Sequence, residues 1–266
     1  MIGAIIGDIV GSRFEFRNHL GKEFSFFSPR CRFTDDTVMT CAVAQALMDS
    51  REDFSDLQEK TISAMQRIGR QFPSCGYGAR FIDWMFSDDP KPYNSFGNGS
   101  AMRVSPAGFA ARDVDEAKKL AAAVTCVSHN HPEGMKGAEA TAVAVVMARQ
   151  GKTKDEIRAA MEQYYDLSVS VDEYRRRWLG HGREICQVSL PQALTCFFEG
   201  GSYEDVIRNC ISIGGDSDTI AAIAGGIAEA YYGVPDDIRA RVWDYLPPVL
   251  SDVCRAFEVW QKKREI

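Results

Sequence analysis

The run Ile220-Ala-Ala-Ile-Ala-Gly-Gly-Ile-Ala-Glu-Ala-Tyr-Tyr232 carries one charged residue, Glu229, and is headed by Gly214-Gly215-Asp216-Ser217-Asp218-Thr219. A helix this apolar on every face is a buried helix, so the rest of the chain must wrap around it. The two carboxylates at its head are drawn toward the interior, where a charge needs a partner. A helix N-terminus supplies part of that partnership through its unpaired N–H groups and dipole, and Asp216 is placed as an N-cap. A second Asp and a Thr hydroxyl within one turn exceed what capping requires, and Gly214-Gly215 lets the backbone bend tightly ahead of them. The surplus of oxygen donors points to a bound cation.

The same pattern occurs a second time. Thr34-Asp35-Asp36-Thr37 precedes an apolar run, Val38 to Met48, with no further charge until Asp49. Thr34 as an N-cap with two dipole-favoured acids explains this segment when it is taken alone. Two acid-headed buried helices in one chain concentrate more negative charge than capping compensates. Arg32 and Arg103 offer one compensation, as an ion-pair network. Magnesium or manganese fits the donors better, since hard cations take carboxylate, hydroxyl and water oxygens. Four Asp, two Thr and Glu15 make two metal ions the expected number.

Ile2, Ile5, Ile6 and Ile9 recur at helical spacing, and Gly3, Gly7 and Gly11 form a second face without side chains, suited to close packing against another helix. Asp8 and Glu15, acids in or beside this stretch, join the candidate cation partners. The apolar start lacks a basic leader and carries Asp8, so it does not read as a signal peptide. No stretch reads as a membrane span. The eight cysteines are dispersed without a CxxC pair, which argues against a zinc site or a disulfide framework and for a reducing compartment, the cytoplasm. A net charge of -6 gives no support to a nucleic-acid or membrane surface.

Helix signals dominate the remainder. An amphipathic pattern between Asp53 and Met85 breaks at Phe72–Gly78. Asp113 with Glu116, and Thr153 with Glu156, have capping-box spacing. Helices are expected to about Val127, from Met135 to Arg149, from Ile157 to Tyr165, from Pro191 to Phe198, from Ser202 to Ile213, through Val242, and from Val249 to Lys263. Leu167–Val171 is the one short alternating segment, and Arg175–Arg177 reads as a solvated face. The loop Asp88–Arg103 ends in Gly97-Asn98-Gly99-Ser100, whose backbone N–H groups and hydroxyl, with the Arg103 guanidinium, can meet phosphate oxygens. It is neither a Walker loop nor a dinucleotide fingerprint. Of the pair His129 and His131, one contacts a substrate or caps a helix. With no linker-like stretch, residues 1–266 are expected to form one all-α domain.

Gly7-Asp8-Ile-Val-Gly11-Ser12 with Glu15, Thr34-Asp35-Asp36-Thr37, Gly97-Asn98-Gly99-Ser100-Ala-Met102-Arg103, Ser128-His129-Asn130-His131-Pro132, and Gly215-Asp216-Ser217-Asp218-Thr219 stand in one order along the chain. Together they resemble the ADP-ribosylglycohydrolase family, which includes the dinitrogenase-reductase-activating glycohydrolases. The resemblance implies a compact, orthogonal multi-helix bundle with a binuclear magnesium or manganese site. It implies Thr34, Asp35, Asp36, Asp216, Asp218 and Thr219 as metal ligands, with Glu15 nearby. Gly97, Asn98, Gly99, Ser100 and Met102 would line the diphosphate and ribose path, and His129 would lie near the nucleotide. The implied reaction is hydrolysis of the glycosidic bond between ADP-ribose and a protein or small-molecule acceptor, the metals orienting the ribose and activating water. Asp36, Glu15 or Asp35 would be the general base. The alternatives are hydrolysis of O-acetyl-ADP-ribose or a free ADP-ribosyl metabolite, and non-catalytic ADP-ribose binding.

Overall fold

The structure, a computed structural model, describes residues 1–177 and 184–264. The helices run in chain order as α1 (Ile2–Gly11), α2 (Asp35–Asp49), α3 (Leu57–Gly69), α4 (Ala79–Phe86), α5 (Gly99–Met102), α6 (Ser105–Ala110) and α7 (Val114–Thr125). They continue as α8 (Pro132–Arg149), α9 (Lys154–Met161), α10 (Val171–Arg177), α11 (Cys186–Glu199), α12 (Tyr203–Ser212), α13 (Ser217–Tyr232), α14 (Asp236–Val242) and α15 (Pro248–Arg264). No strand occurs among the described residues, apart from one isolated bridge between Gly97 and Ile185. None of these helices is long and apolar enough to cross a membrane.

The apolar run Ile220–Tyr232 lies in α13, which is buried from Ser217 to Ala228. Helices α1, α8, α11 and α12 enclose it. The glycine face of α1 explains the closest of these contacts. A Cβ on Gly7 would come within 3.0 Å of the Ala221 carbonyl, and one on Gly11 within 3.0 Å of Asp218 Cα. Without side chains at these positions the two backbones touch, which fixes where α13 begins relative to α1. Helix α2 lies between α3 and α15 and also packs on α1, so both acid-headed helices converge on α1.

Local signals place most helix starts. Thr153 and Glu156 close a reciprocal capping box on α9. Asp113 caps α7 by accepting from Glu116 N–H at 2.8 Å, but Glu116 accepts from the Arg112 backbone at 2.7 Å, so that box is only half formed. One expectation is corrected. Helix α11 starts at Cys186, ahead of Pro191, because the chain before it is tied to the glycine turn: Asn98 N–H donates to Glu184 O and Cys186 N–H to Phe96 O, both at 3.1 Å. Leu167–Val171 forms no strand; with no partner strand beside it among the described residues, its alternation buries Leu167 and Val171 on the way into α10. Two arginines of α10 are held by neighbours, Arg175 by Asp172 and Ser212 and Arg177 by Glu173.

Candidate functional site

A cavity of about 670 Å³ opens where the heads of α2 and α13 meet the turn before α5. That volume suits a ligand well beyond a simple ion. Glu15, Thr34, Asp35, Asp36, Asp216, Asp218 and Thr219 form one acidic wall. Gly97, Asn98, Gly99, Met102 and His129 also line the cavity, and Phe33, Phe81 and Tyr93 add aromatic surface.

Helix α2 is capped as expected, with Thr34 Oγ1 accepting from Asp36 N–H at 3.4 Å. Helix α13 is not. Asp216 occupies the N-cap position but makes no capping bond; its carboxylate accepts from Asn98 Nδ2 at 2.6 Å. The turn before it depends on Gly214 and Gly215, at φ of 70° and 78°, a region that favours glycine. Asn18 clamps that turn, accepting from Gly215 N–H at 3.0 Å and donating to Gly215 O at 3.1 Å. Asp216 is therefore aimed into the cavity and not onto its own helix.

Carboxylate oxygens of Glu15, Asp216 and Asp218 all lie within 4.8 Å of one another, a group able to hold a metal ion. Thr219 Oγ1 donates to Asp36 Oδ2 at 3.2 Å, joining the two helix heads. Asp36 Oδ1 is buried without a hydrogen-bond partner. Among the described residues no Lys or Arg makes an ion pair with any of these acids. The ion-pair compensation by Arg32 and Arg103 is thus corrected: Arg103 turns to Ser128 and His129, and Arg32 only eases the charge of Glu15 from a distance.

The electrostatic result is a set of carboxyls that resist ionisation. Burial, followed by the neighbouring carboxylates, pushes Asp35, Asp36 and Asp218 well above the usual range. Burial and Asp216 push Glu15 up to about 7. An orphaned buried oxygen among mutually repelling carboxyls, with only oxygen donors around it, fits hard divalent cations. Thr34, Asp35, Asp36, Asp216, Asp218 and Thr219 line this same wall, with Glu15 beside them.

Asp8 is a different case. Its carboxylate accepts from Thr34 N–H at 2.9 Å, Thr34 Oγ1 at 2.7 Å, Thr37 N–H at 3.1 Å and Thr37 Oγ1. It is fully buried, accepts these four bonds and does not line the cavity, which removes it from the candidate cation partners. It commits the Thr34 hydroxyl proton, so that oxygen meets Asp36 as an acceptor from its N–H.

The glycine turn also differs in detail from expectation. Asn98 gives its amide hydrogens to Asp216 and Ser189, so this residue holds an acid in place while lining the cavity. Ser100 does not line the cavity. Its fully buried hydroxyl donates back to Gly97 O at 3.2 Å and touches Cys186 Sγ, supporting the turn from beneath. The histidine pair divides its work: His131 caps α8 by accepting from Glu133 N–H at 3.1 Å, while His129 faces the cavity. Glu184, Phe16 and the aromatic wall were not legible as site residues, because no local motif marks them, while Arg32, read as a partner of the acids, lines the cavity without pairing with them. Glu184 is brought in by the bridge to the glycine turn, and burial with Asp216 raises its carboxyl as well.

The fold and cleft together define an all-helical scaffold with a cluster of carboxyls at one wall of a ligand-sized cavity. The profile of the ADP-ribosylglycohydrolase family matches residues 1–265, and the chain belongs to that family, a class of ADP-ribosyl hydrolases. It is similar to ADP-ribosylhydrolase ARH3 of Gallus gallus, at 27% identity over 98% of this chain and 89% of that protein. It is also similar to ADP-ribosylarginine hydrolase Tri1 of Pseudomonas putida, at 24% identity over 91% of this chain and 73% of that one. A solved structure, an ADP-ribosylglycohydrolase-related protein complex, shares the fold with a TM-score of 0.71 at 23% identity, covering 100% of this chain and 96% of its own.

Proposed function

We propose that this chain hydrolyses the glycosidic bond between ADP-ribose and a modified acceptor, with two divalent cations, Mg²⁺ or Mn²⁺, held among Thr34, Asp35, Asp36, Asp216, Asp218 and Thr219. The observation that carries this reading is the partnerless buried Asp36 Oδ1 within a cluster of carboxyls that has no Lys or Arg ion pair among the described residues. Relatives named for hydrolysis of ADP-ribosyl bonds supply the substrate class.

The protein's own residues divide the task. Gly97 and Gly99 let the ligand backbone approach the turn closely, and His129 stands over both. Asn98 holds Asp216 in place, and Asp8 orients Thr34. Water adds to the anomeric carbon as the bond to the acceptor breaks, the departing pair of electrons leaving with the acceptor. Glu15, Asp35 or Asp36 takes the water's proton. The positive charge that develops on the ribose at this stage is stabilised by the surrounding carboxylates. Bound cations would supply charge to orient the ribose hydroxyls and to lower the pKa of water.

A panel of arginine-, serine-, nucleobase- and acetyl-linked ADP-ribose tests the activity. Free ADP-ribose is expected from at least one glycosidic linkage, only with Mg²⁺ or Mn²⁺ present. Release from none of them by folded, Mn²⁺-loaded protein sinks the reading, and release from the acetyl ester alone moves it to the metabolite alternative. Calorimetry with Mn²⁺ tests the ligands: Asp218→Ala is expected to weaken binding by more than about 100-fold, beyond the usual cost of losing an outer partner.

A further inference from the structure

Arg103 is among the largest fully buried side chains, yet it has no acidic partner among the described residues. Its Nη2 donates to Ser128 Oγ at 2.7 Å and lies 3.4 Å from His129 Nδ1, and its Nε has no partner. Ser128 Oγ is in turn 2.9 Å from the same Nδ1. A guanidinium has donors only, so Ser128 Oγ must accept from Arg103. Its hydroxyl then meets His129 either with its proton or with its second lone pair, and the contact with Arg103 decides between them. A proton on Nδ1 would place donor against donor toward Arg103 Nη2 at 3.4 Å, whereas a bare Nδ1 accepts from Ser128 and faces Arg103 without conflict. Nδ1 is therefore the acceptor of this relay, and a neutral imidazole carries its proton on Nε2.

Nε2 points the other way. A Cβ on Gly99 would sit 3.3 Å from it and one on Gly97 3.7 Å, so it borders the glycine turn on the cavity side. No hydrogen bond from the described residues engages it. The charged group acting on the ring is Arg103, at the C-terminus of α5. Tyr93 is the titratable neighbour from the preceding loop, its ring 5.9 Å away and itself covered by Arg80. On the α8 side Glu133 is engaged by Lys136 at 2.9 Å. No carboxylate among these stabilises an imidazolium.

We propose that Arg103 and Ser128 are positioning residues that hold His129 as the neutral Nε2–H tautomer, so that Nε2 donates a hydrogen bond to an anionic oxygen of the ligand beside Gly97 and Gly99. Burial and Arg103 hold the imidazole well below its ordinary pKa, in keeping with this arrangement. The donor then needs no protonation and works unchanged from mildly acid to alkaline pH. The buried guanidinium behind the ring adds positive charge that favours an anion at Nε2. The identity of that anion, a diphosphate, rests on the ADP-ribosyl reading; the tautomer does not.

Histidine-¹⁵N-labelled protein separates the two. Long-range ¹H–¹⁵N correlation, with the His129 signals assigned through His129→Gln, is expected to show a protonated Nε2 and an acceptor-type Nδ1 that do not titrate between about pH 5.5 and 8. A protonated Nδ1 tautomer, or an imidazolium at about pH 6.5, overturns the proposal. Ser128→Ala, a small excision checked by circular dichroism, is expected to let His129 exchange tautomers or titrate. It is also expected to weaken ADP-ribose binding about tenfold, the worth of one hydrogen bond to a charged group. That ligand's diphosphate does not itself titrate in this range, so any new pH dependence of binding reports the ring. Unchanged affinity and an unchanged His129 spectrum in Ser128→Ala refute the positioning role. If the unmodified protein shows the Nε2–H tautomer but binds no ADP-ribose, the nucleotide reading and the proposed donation fall while the tautomer assignment stands.

Discussion

Asp8 sits where four donors from Thr34 and Thr37 converge on one buried carboxylate. Replacing one carboxylate oxygen by an amide turns an acceptor into a donor and sets it against donors already there. Asp8→Asn is therefore expected to cost about 3–5 kcal/mol in chemical denaturation, the range for breaking a buried charged network. The variant should also lower Mn²⁺ affinity by about 10–100-fold, as the loss of an outer partner does at other metal sites. Calorimetry on the folded variant checks this, and undiminished affinity would show that Thr34 needs no orienting partner. At this scale the sequence was only partly legible. Asp35, Asp36, Asp216 and Asp218 announced themselves by standing ahead of apolar helices, whereas Asp8 looked like another ligand. Its partners lie 26 and 29 residues away along the chain, and only their placement separates an orienting acid from a binding one.

At the scale of elements, the contact between α1 and α13 sets the site. Gly7 leaves no room beneath Ala221, and Gly11 none beneath Asp218. The atoms in the way are backbone, so an added methyl must push the helices apart and cannot be absorbed by a rotamer. Gly7→Ala is expected to destabilise the fold by about 3 kcal/mol, the upper end of overpacking costs. Gly11→Ala should cost a similar amount and also displace Asp218 at the head of α13. Urea denaturation compares the two variants, and Mn²⁺ titration separates them: Gly11→Ala should lose more metal affinity than Gly7→Ala. Equal losses would show that α13 shifts as a rigid rod. The glycine spacing made the close helix contact legible, but not which helix it met. The head of α13 was misread in one respect, since Asp216 caps nothing and is held by Asn98 from another element.

For the whole molecule, the clustered acids link stability to pH and metal. Asp35, Asp36, Asp218 and Glu15 have folded pKa values raised above their unfolded ones, so the folded state binds more protons. Stability from these groups is fully present below the ordinary carboxylate range and is lost as pH rises through the folded values, about 7 for Glu15. Metal-free protein is thus expected to melt at a lower temperature at about pH 8 than at about pH 5.5. Divalent cations should reverse this at the higher pH, by about 2.7 kcal/mol at a hundredfold excess over Kd, or roughly 5–10 °C in Tm. Scanning calorimetry with and without Mn²⁺ measures both effects. A Tm that is independent of metal at the higher pH removes the metal assignment.

The sequence by itself determined the helical class, the buried α13, the two acid-headed helices and the glycine turn, because each is written in spacing and polarity over a few neighbouring residues. Tertiary structure alone decided which oxygens share a charge, that Asp8 orients while Asp216 points into the cavity, that Ser100 lies beneath the turn, and that Arg103 serves His129 and leaves the acids unpaired. Those outcomes depend on distances between residues far apart in the chain. Local propensity places an acid at a helix head, but only the packing of α1 against α13 brings two such heads to one cleft and leaves their charge for a cation to meet.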